Sequence, residues 1–427
     1  MSNKYNNNDL LFFLNYGFLP SVADNASSLL FPDNDLSSIQ KIPEAIQQNE
    51  QSLIRLGIEA LDSAFSNIGD GRHIVPLSGG LDSRVVIAGL LKAGLKDQIT
   101  TVSFGVPGAF DFEIASMLAK KLGIRHDIID LSTIAVDELQ LIERAQQGSS
   151  WTLLLDGFYN ALICQKYGKE ATYWSGFMGG ELAGSHLPRV EHSCWDDAKE
   201  YFLNWNALHK YGGFNPSSVA FSNLLPSKPL FDPSVISYDD QLDFFVRQVN
   251  YIQRAITFEG YQYRSPFLAK ECVNFFLGVN REHRQDKNLF KKVITSAYPE
   301  IFALPTANNF GGATKISSKS LALRRVFTRL RREINDKAGP MAGLVNPVFS
   351  AFNIYNRVNY INFDEVVRSR SDFKELIDKS VTDFDQRNLL EGIDGRSLLD
   401  SHCSKKGNHG LPLMLLNALE ISLKATD

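Results

Sequence analysis

The sequence predicts an α/β protein, in which a parallel sheet carries helices on both faces and is followed by a mostly helical C-terminal part. Two observations support this fold class. Apolar runs of strand length alternate with helical patterns between residues 74 and 174, as they do in chains that form parallel sheets. After about Leu187, long helical patterns that are rich in aromatic residues dominate the chain.

Each element of the sheet region has its own signal. Strands are predicted at residues 74–77, 99–104, 126–131 and 171–174, and helices at 46–65, 83–93, 113–122 and 153–167. Gly94 and Gly123 follow two of these helices, as expected at helix C-termini. Because ligands bind beyond the carboxyl ends of parallel strands, the loops after Leu77, Phe104 and Trp174 should face one crevice.

Composition and charge are those of an ordinary globular protein. The 427 residues are 44% hydrophobic with a net charge of −4, which argues against a general polyanion binder. The four cysteines form no C-x-x-C pair, so neither a disulfide framework nor a zinc site is predicted. The sequence contains no signal-peptide pattern and no run of ~20 apolar residues. The expectation is a cytoplasmic protein without a membrane span or a nucleic-acid partner.

The clearest chemical signal is the stretch Ser78-Gly79-Gly80-Leu81-Asp82-Ser83, between a predicted strand and a predicted helix. Its glycines let backbone N–H groups approach a phosphate closely, and the helix N-terminus adds favourable partial charge. The carboxylate of Asp82 suits a cation that bridges to phosphates. The spacing is not that of the Walker loop. A plain turn before a buried helix is the simpler alternative.

This stretch resembles the pyrophosphate loop of the N-type ATP pyrophosphatases, and other stretches narrow the resemblance. Residues 103–126 are similar to the second nucleotide segment of asparagine synthetases, 174–184 to their Ser-Gly-Glu-Gly-x-Asp-Glu loop, and 260–268 to their Gly-x-Glu-x-Arg-x-Pro-Phe-Leu-Asp segment. Residues 284–290 are similar to a helix start of the family. The chain is identified as a member of the asparagine synthetase-like family, which includes β-lactam synthetases and lasso-peptide cyclases.

The resemblance implies a five-stranded, adenine nucleotide α-hydrolase-like sheet and three regions. These are a linker-like segment (1–50), an ATP-binding pyrophosphatase α/β core (51–190) and a helical substrate-side region (191–427). Relatives that use glutamine begin with a cysteine on a glutaminase domain, whereas this sequence opens with Met1-Ser2-Asn3. The expectation is therefore a stand-alone synthetase module.

The activity that the resemblance implies is ATP-dependent amide formation. A small-molecule or peptide carboxylate attacks the α-phosphorus of ATP, pyrophosphate leaves, and a nitrogen nucleophile then displaces AMP. The nitrogen would come from ammonia, from a separate glutaminase as in amidotransferases, or from an amine on the substrate.

The resemblance also implies the cofactors, ATP and Mg²⁺, and their residues. Lys287 would offset charge on the acyl-adenylate oxygens, and Arg264 would position the helix of the site or pair with an acid there. Glu181 would join Asp82 on the metal and is the third residue of the catalytic set. The residues implied for ATP binding are Leu77, Ser78, Gly79, Gly80, Asp82, Ser83, Val102, Ser103, Phe104, Ser175 and Gly176.

Four positions depart from the family pattern. The second magnesium aspartate of the family falls on Gly180, and its loop acid or tyrosine falls on Phe177. The acid of Gly-x-Glu-x-Arg is Gln262, and the last aspartate of that segment is Ala269. A base for the incoming amine is therefore not visible at the expected places. Candidates nearby in sequence are Glu113, Glu259, Asp111 and His186.

Two other functions stay open at this point. A catalytically impaired relative would keep the nucleotide fold and act as a partner subunit. A tRNA-modifying pyrophosphatase would share only the loop, and would call for a basic face or reactive cysteine pairs. The basic segment from Leu321 to Lys337 is compatible with a solvated helix face, an acidic substrate or a membrane surface.

Overall fold

The centre of the protein is one sheet of five parallel strands. The structure, a computed structural model, describes residues 6–21, 26–208, 214, 220–337, 342–356 and 360–426, and the side chains of 335–337 and 342–344 lie outside this description. The strands are β1 (His73–Pro76), β2 (Ile99–Gly105), β3 (Arg125–Asp130), β4 (Thr172–Trp174) and β5 (Gln262–Arg264). Their order is β3-β2-β1-β4-β5, and every neighbouring pair is parallel. The predicted fold class is confirmed.

The strand order reverses at β1. The chain runs from β1 to β2 and β3 on one side of the sheet, then crosses to β4 and β5 on the other. Loops that follow β1 and β4 therefore leave the sheet in different directions and open a crevice between them. The glycine loop 78–83 begins on one side of this crevice, and Ser175 and Gly176 begin on the other.

The four predicted strands are all present, and no strand end moves by more than one residue. Only β5 lies outside the strand predictions, because three residues are too few to form a periodic pattern. The predicted helix 46–65 divides into Glu44–Gln47 and Glu50–Ala64 at Asn49, whose side chain accepts from the Ser52 N–H at 3.0 Å as an N-cap.

Pro76 lies inside β1, the central strand, without breaking the ladder. The Leu77 N–H donates to the Val102 carbonyl of β2 at 2.8 Å. Because N–H groups alternate sides along a strand, the nitrogen of Pro76 faces β4, where pairing ends at Ile74 and Tyr173. The proline therefore costs the sheet no hydrogen bond.

Helices surround the sheet and form most of the C-terminal part. The helices before β5 are Asn7–Tyr16, Ala26–Leu30, Glu50–Ala64, Asp82–Lys92, Phe110–Leu122, Glu138–Arg144, Leu154–Tyr167, Gly179–Leu182, Trp195–Asn206, and the continuous run Tyr238–Gln241, Leu242–Gln253 (π-helical) and Arg254–Ile256. Those after β5 are Lys270–Gly278, Arg281–Arg284, Asn288–Ala297, Pro299–Phe302, Ser318–Lys337, Ala342–Ala351, Phe363–Ser369, Ser371–Arg387, Gly395–Cys403 and Gly410–Thr426.

The helices Asn7–Tyr16 and Gly410–Thr426 share one hydrophobic core. Leu10, Phe13 and Leu14 are fully buried in it, and the Phe13 ring lies edge-to-face with Trp151 at 5.6 Å between centroids. The predicted linker-like segment therefore contributes core residues, although residues 1–5 and 22–25 lie outside the described ones. The division at residues 50 and 190 stays a prediction.

Candidate functional site

The glycine loop joins β1 to the helix Asp82–Lys92, which begins one residue earlier than predicted. The N-cap Leu81 supplies no side-chain hydrogen bond, so the N–H groups of the first turn keep their capacity for an anion. The Ser78 N–H donates to Ser83 Oγ at 3.2 Å, and the Gly80 N–H donates to Ser78 Oγ at 3.2 Å. The two serine hydroxyls therefore fix the curvature of the loop.

Gly79 is held by the chain on both sides of its peptide. Its carbonyl accepts from the Ala307 N–H at 2.9 Å, and its N–H donates to Asp111 Oδ1 at 3.0 Å. A Cβ at residue 79 would lie 2.8 Å from the Cβ of Ala307, so a larger residue would displace the loop. A phosphate that takes the Gly79 N–H must replace the Asp111 carboxylate.

Gly176 brings the loop after β4 onto the glycine loop. A Cβ there would lie 2.8 Å from both the backbone carbon of Asp82 and the backbone nitrogen of Ser83. Only a glycine therefore lets these two loops touch, and their contact closes one end of the crevice.

A cavity of about 330 Å³ lies beyond the carboxyl ends of β1, β2 and β4. Its lining combines small polar groups with aromatic rings, as an adenosine site requires. Five of the predicted ATP residues line it, namely Leu77, Ser78, Val102, Phe104 and Ser175. Ser103 does not, because its buried hydroxyl donates to the Leu77 carbonyl at 2.6 Å. Four other lining residues, Asn160, Cys164, Tyr263 and Tyr360, were not predicted to belong to the site.

Asp82 and Lys287 meet at the mouth of the loop. Lys287 Nζ lies 3.8 Å from Asp82 Oδ2, while Asp82 Oδ1 is buried and has no hydrogen-bond partner among the described residues. Burial raises the pKa of Asp82, and the charge of Lys287 partly offsets this effect. Asp286 and Lys287 both adopt the left-handed backbone, with φ of 55° and 58°, a conformation that is costly for these residues.

The geometry fits a divalent cation beside Asp82. A buried carboxylate oxygen without a partner needs a positive charge or a donor. The described residues contain no cluster of three or more His, Cys, Asp or Glu side chains that would hold a metal alone. This agrees with the usual binding of Mg²⁺, which takes one or two carboxylates and completes its shell with phosphate oxygens and water.

Comparison with known proteins supports this interpretation of the loop. Residues 65–148 match the asparagine synthase family model. The match is consistent with an asparagine synthetase-like synthetase domain, which supports the resemblance inferred from the sequence, and the matched family is one of ATP-dependent synthetases. No curated protein matches the chain. The match ends before Ser175, Glu181, Arg264 and Lys287, whose roles stay predictions.

Gly180 is the residue that the resemblance aligns with a magnesium-binding aspartate of asparagine synthetases. A Cβ there would lie 3.3 Å from Lys287 Nζ and 3.5 Å from Asp82 Oδ2. The Lys287 ammonium therefore occupies the neighbourhood that a carboxylate at this position would share with Asp82.

Glu181 belongs to a buried group of charges that also contains His186 and Asp243. Burial raises the pKa of Glu181, and the carboxylates of Asp243 and Asp82 raise it further. The Asp82 carboxylate therefore contributes to the electrostatic surroundings of Glu181. That both residues hold the metal stays a prediction.

His186 and Asp243 form an ion pair within this group. His186 Nδ1 lies 2.9 Å from Asp243 Oδ2, and Gln248 donates to Asp243 Oδ1 at 3.1 Å. Burial lowers the pKa of His186, but the charge and hydrogen bond of Asp243, together with the charge of Glu181, raise it overall. Burial raises the pKa of Asp243, but the charge and hydrogen bond of His186, together with Arg247 and Gln248, lower it overall. Sequence reasoning missed Asp243, which lies in the π-helical stretch and in no motif.

The remaining predicted residues lie at the edges of the site. Arg264 is exposed, donates to the Asn67 carbonyl at 2.6 Å and lies over the Trp174 ring, with no ion pair to an acid among the described residues. Glu113 accepts from the Gly108 N–H at 2.8 Å, and Glu259 is exposed.

Phe177 and Ala269, two of the positions that depart from the family pattern, have structural contacts. Phe177 packs against a hydrophobic core, and Ala269 is the N-cap of the helix Lys270–Gly278. Neither side chain can act as a base.

Among the described residues, no helix combines the length and apolarity that a bilayer span requires.

Proposed function

We propose that the protein is an AMP-forming carbon–nitrogen ligase that adenylates a carboxylate with ATP and then forms an amide. The observation that carries this proposal is the partnerless buried oxygen of Asp82, placed beside Lys287 at the N-terminus of the helix that follows the glycine loop. The adjacent cavity of about 330 Å³ and the family match support the same function.

In the first half-reaction, adenosine would occupy the cavity and the pyrophosphate would lie on the loop and the helix N-terminus. Asp82 and Glu181 would hold Mg²⁺, which supplies positive charge to the phosphates. An oxygen of the substrate carboxylate attacks the α-phosphorus, and the bond from this phosphorus to the bridging oxygen of the β-phosphate breaks. Lys287 would offset the negative charge that develops on the transferred group.

In the second half-reaction, a nitrogen nucleophile attacks the acyl carbon and AMP leaves with the electron pair of the broken carbon–oxygen bond. The nitrogen must lose a proton, and we assign its acceptance to Nε2 of His186. Asp243 would hold the imidazole through Nδ1, which leaves Nε2 as the acceptor. The nitrogen is ammonia, the product of a separate glutaminase, or an amine on the substrate.

A direct test incubates the protein with ATP, Mg²⁺, hydroxylamine and a panel of amino acids and peptides. We expect pyrophosphate, AMP and a hydroxamate from at least one acid, and the loss of all three in Asp82→Asn. Asp70→Asn is the matched control, because Asp70 is exposed near the start of β1. Absence of ATP binding in calorimetry would overturn the proposal.

A second candidate function is a nucleotide-binding partner subunit without ligase activity. The loss of acids at Gly180, Phe177 and Gln262 favours it. It would be supported by ATP binding that Asp82→Asn abolishes, together with no pyrophosphate release for any acid of the panel. For either function we propose a cytoplasmic setting, in which the free state of the four cysteines is stable.

A further inference from the structure

A helical hairpin next to the site exposes an unusual amount of apolar surface. We call Ser318–Lys337 and Ala342–Ala351, with Phe352, the amphipathic hairpin. Twelve large hydrophobic side chains are exposed in the described part of the chain, and six of them lie on this hairpin. They are Leu323 (55%), Val326 (61%), Phe327 (37%), Leu330 (43%), Val348 (60%) and Phe352 (65%). A solvated helix face would not concentrate such residues.

The exposed apolar residues form one continuous face. Residues 323, 326, 327 and 330 follow the i, i+3, i+4, i+7 spacing of a single helical stripe. Between this stripe and the second helix lies a groove of about 610 Å³, whose lining includes Phe327, Val348, Phe349 and Phe352. The face therefore extends across both helices.

Charge is segregated onto the same hairpin. Residues 318–337 contain seven Lys or Arg and two Asp or Glu, a net charge of +5, whereas the rest of the chain has a net charge of −9. The exposed bases of the hairpin are Lys319, Arg325, Arg329 and Arg332, and Lys315 is exposed just before it. On the helical wheel, Arg325, Arg329 and Arg332 lie away from the apolar stripe, on the polar face of the helix.

Two other arginines hold the hairpin together and fix it to the domain. Arg331 is buried and donates to Asn346 Oδ1 at 3.1 Å and Ser350 Oγ at 3.3 Å, which ties the two helices to each other. Arg324 donates to the carbonyls of Phe310 at 3.1 Å and Phe352 at 3.0 Å. These hydrogen bonds therefore hold in place the two helices that carry the apolar face and the exposed bases.

We propose that the amphipathic hairpin docks the protein on the surface of an anionic lipid bilayer. Helices that lie in a membrane interface combine an apolar face with a polar face rich in Lys and Arg, and anionic headgroups attract those bases. A nucleic acid would use the bases but leave the apolar face without a function. This inference does not rest on the ligase activity.

The experiment is co-sedimentation of the full-length protein with vesicles of phosphatidylcholine alone or mixed with phosphatidylglycerol. We expect binding to the mixed vesicles, weak binding to phosphatidylcholine, and release as ionic strength rises. The variants Phe327→Ser/Leu330→Ser and Arg325→Gln/Arg329→Gln/Arg332→Gln should each lower the partition coefficient at least about tenfold.

A triple variant of exposed bases elsewhere, Lys96→Gln/Lys120→Gln/Lys121→Gln, is the matched charge control and should bind as the wild type does. Circular dichroism of each variant checks that it folds. The proposal is overturned if the wild type does not bind the mixed vesicles, or if folded hairpin variants bind them as well as the charge control does. It is also overturned if Phe327→Ser/Leu330→Ser abolishes self-association of the protein but leaves lipid binding unchanged. A further contrary result would be that RNA displaces the protein from vesicles and that RNA binding depends on Arg325, Arg329 and Arg332 but not on Phe327 and Leu330.

Discussion

His186 and Asp243 carry the most specific chemical prediction at the scale of single residues. We expect His186→Ala to slow hydroxamate formation by about 10²–10⁴-fold, because a general base contributes by that order. The burst of pyrophosphate from the first turnover should change little, since His186 has no part in the first half-reaction. Measuring both products separates the steps, and an equal loss of both would contradict the assignment.

The pH dependence of the second step gives an independent readout. The Asp243 carboxylate raises the pKa of His186 above its ordinary 6.5, so the neutral base forms only at higher pH. The rate of amide formation should therefore rise with pH through a value above 6.5. Asp243→Asn removes the charge that favours the imidazolium, so the rise in the rate of amide formation should move to lower pH. If the rise does not move, Asp243 does not set the pKa of the catalytic base.

The ionised side chain of Asp82 should lower the stability of the folded protein, although Mg-ATP binding requires it. Burial raises its pKa in the folded protein, so its ionised form opposes folding once the pH rises above the ordinary value of 3.8. We expect Asp82→Asn to stabilise the nucleotide-free protein at pH 7 by about 1 kcal/mol, while Mg-ATP binding is lost. The gain should vanish near pH 3.8 and below.

Thermal unfolding of Asp82→Asn and Asp70→Asn at several pH values, with calorimetry of nucleotide binding, checks this prediction. The exposed Asp70 should show neither effect. A destabilised Asp82→Asn would mean that the contact with Lys287 outweighs burial.

At the scale of elements, the contact between two loops depends on a missing side chain. Gly176→Ala would place a Cβ 2.8 Å from the backbone of Asp82 and Ser83, which cannot yield as a flexible side chain would. We expect a loss of about 1–3 kcal/mol in the free energy of unfolding, together with weaker ATP binding. Gly69→Ala is the control, because no atom lies within 4 Å of a Cβ there. Denaturant titration of both variants gives the comparison.

The elements show what local sequence can and cannot predict. The strands β1, β2 and β4 were predictable because each is largely apolar and lies beside turn residues, and the glycine loop was predictable because its chemistry is local. β5 has three residues and no period. Asp243 meets His186 across 57 positions in sequence, a contact that tertiary packing alone creates. Lys287 was placed by resemblance, since no local pattern marks a lysine that reaches Asp82.

At the scale of the whole molecule, the two ends of the described chain stabilise each other. Phe13→Ala should lower the free energy of unfolding by about 3–5 kcal/mol, because it empties a fully buried site against Trp151. Phe352→Ala removes the same ring from a side chain that is 65% exposed and should change stability by less than about 0.5 kcal/mol. Equal effects in denaturant unfolding would contradict the shared core.

The cavity is also a property of the whole molecule. Its walls come from β1, β2, β4, β5, the helix Leu154–Tyr167 and Tyr360, which are distant in sequence. A sequence predicts which strands end at such a cavity, because parallel strands share one edge. It does not predict which side chains of remote helices close it.

The absence of a side chain at Gly180 affects the number of magnesium ions that the site should bind. Lys287 Nζ would lie 3.3 Å from a Cβ there, so a covalently attached cation stands beside the position that the resemblance aligns with the second magnesium-binding aspartate of asparagine synthetases. An attached cation cannot be removed by a chelator and does not depend on the salt of the medium. Turnover should therefore follow free Mg²⁺ with a Hill coefficient of about 1, as expected for a single exchangeable ion.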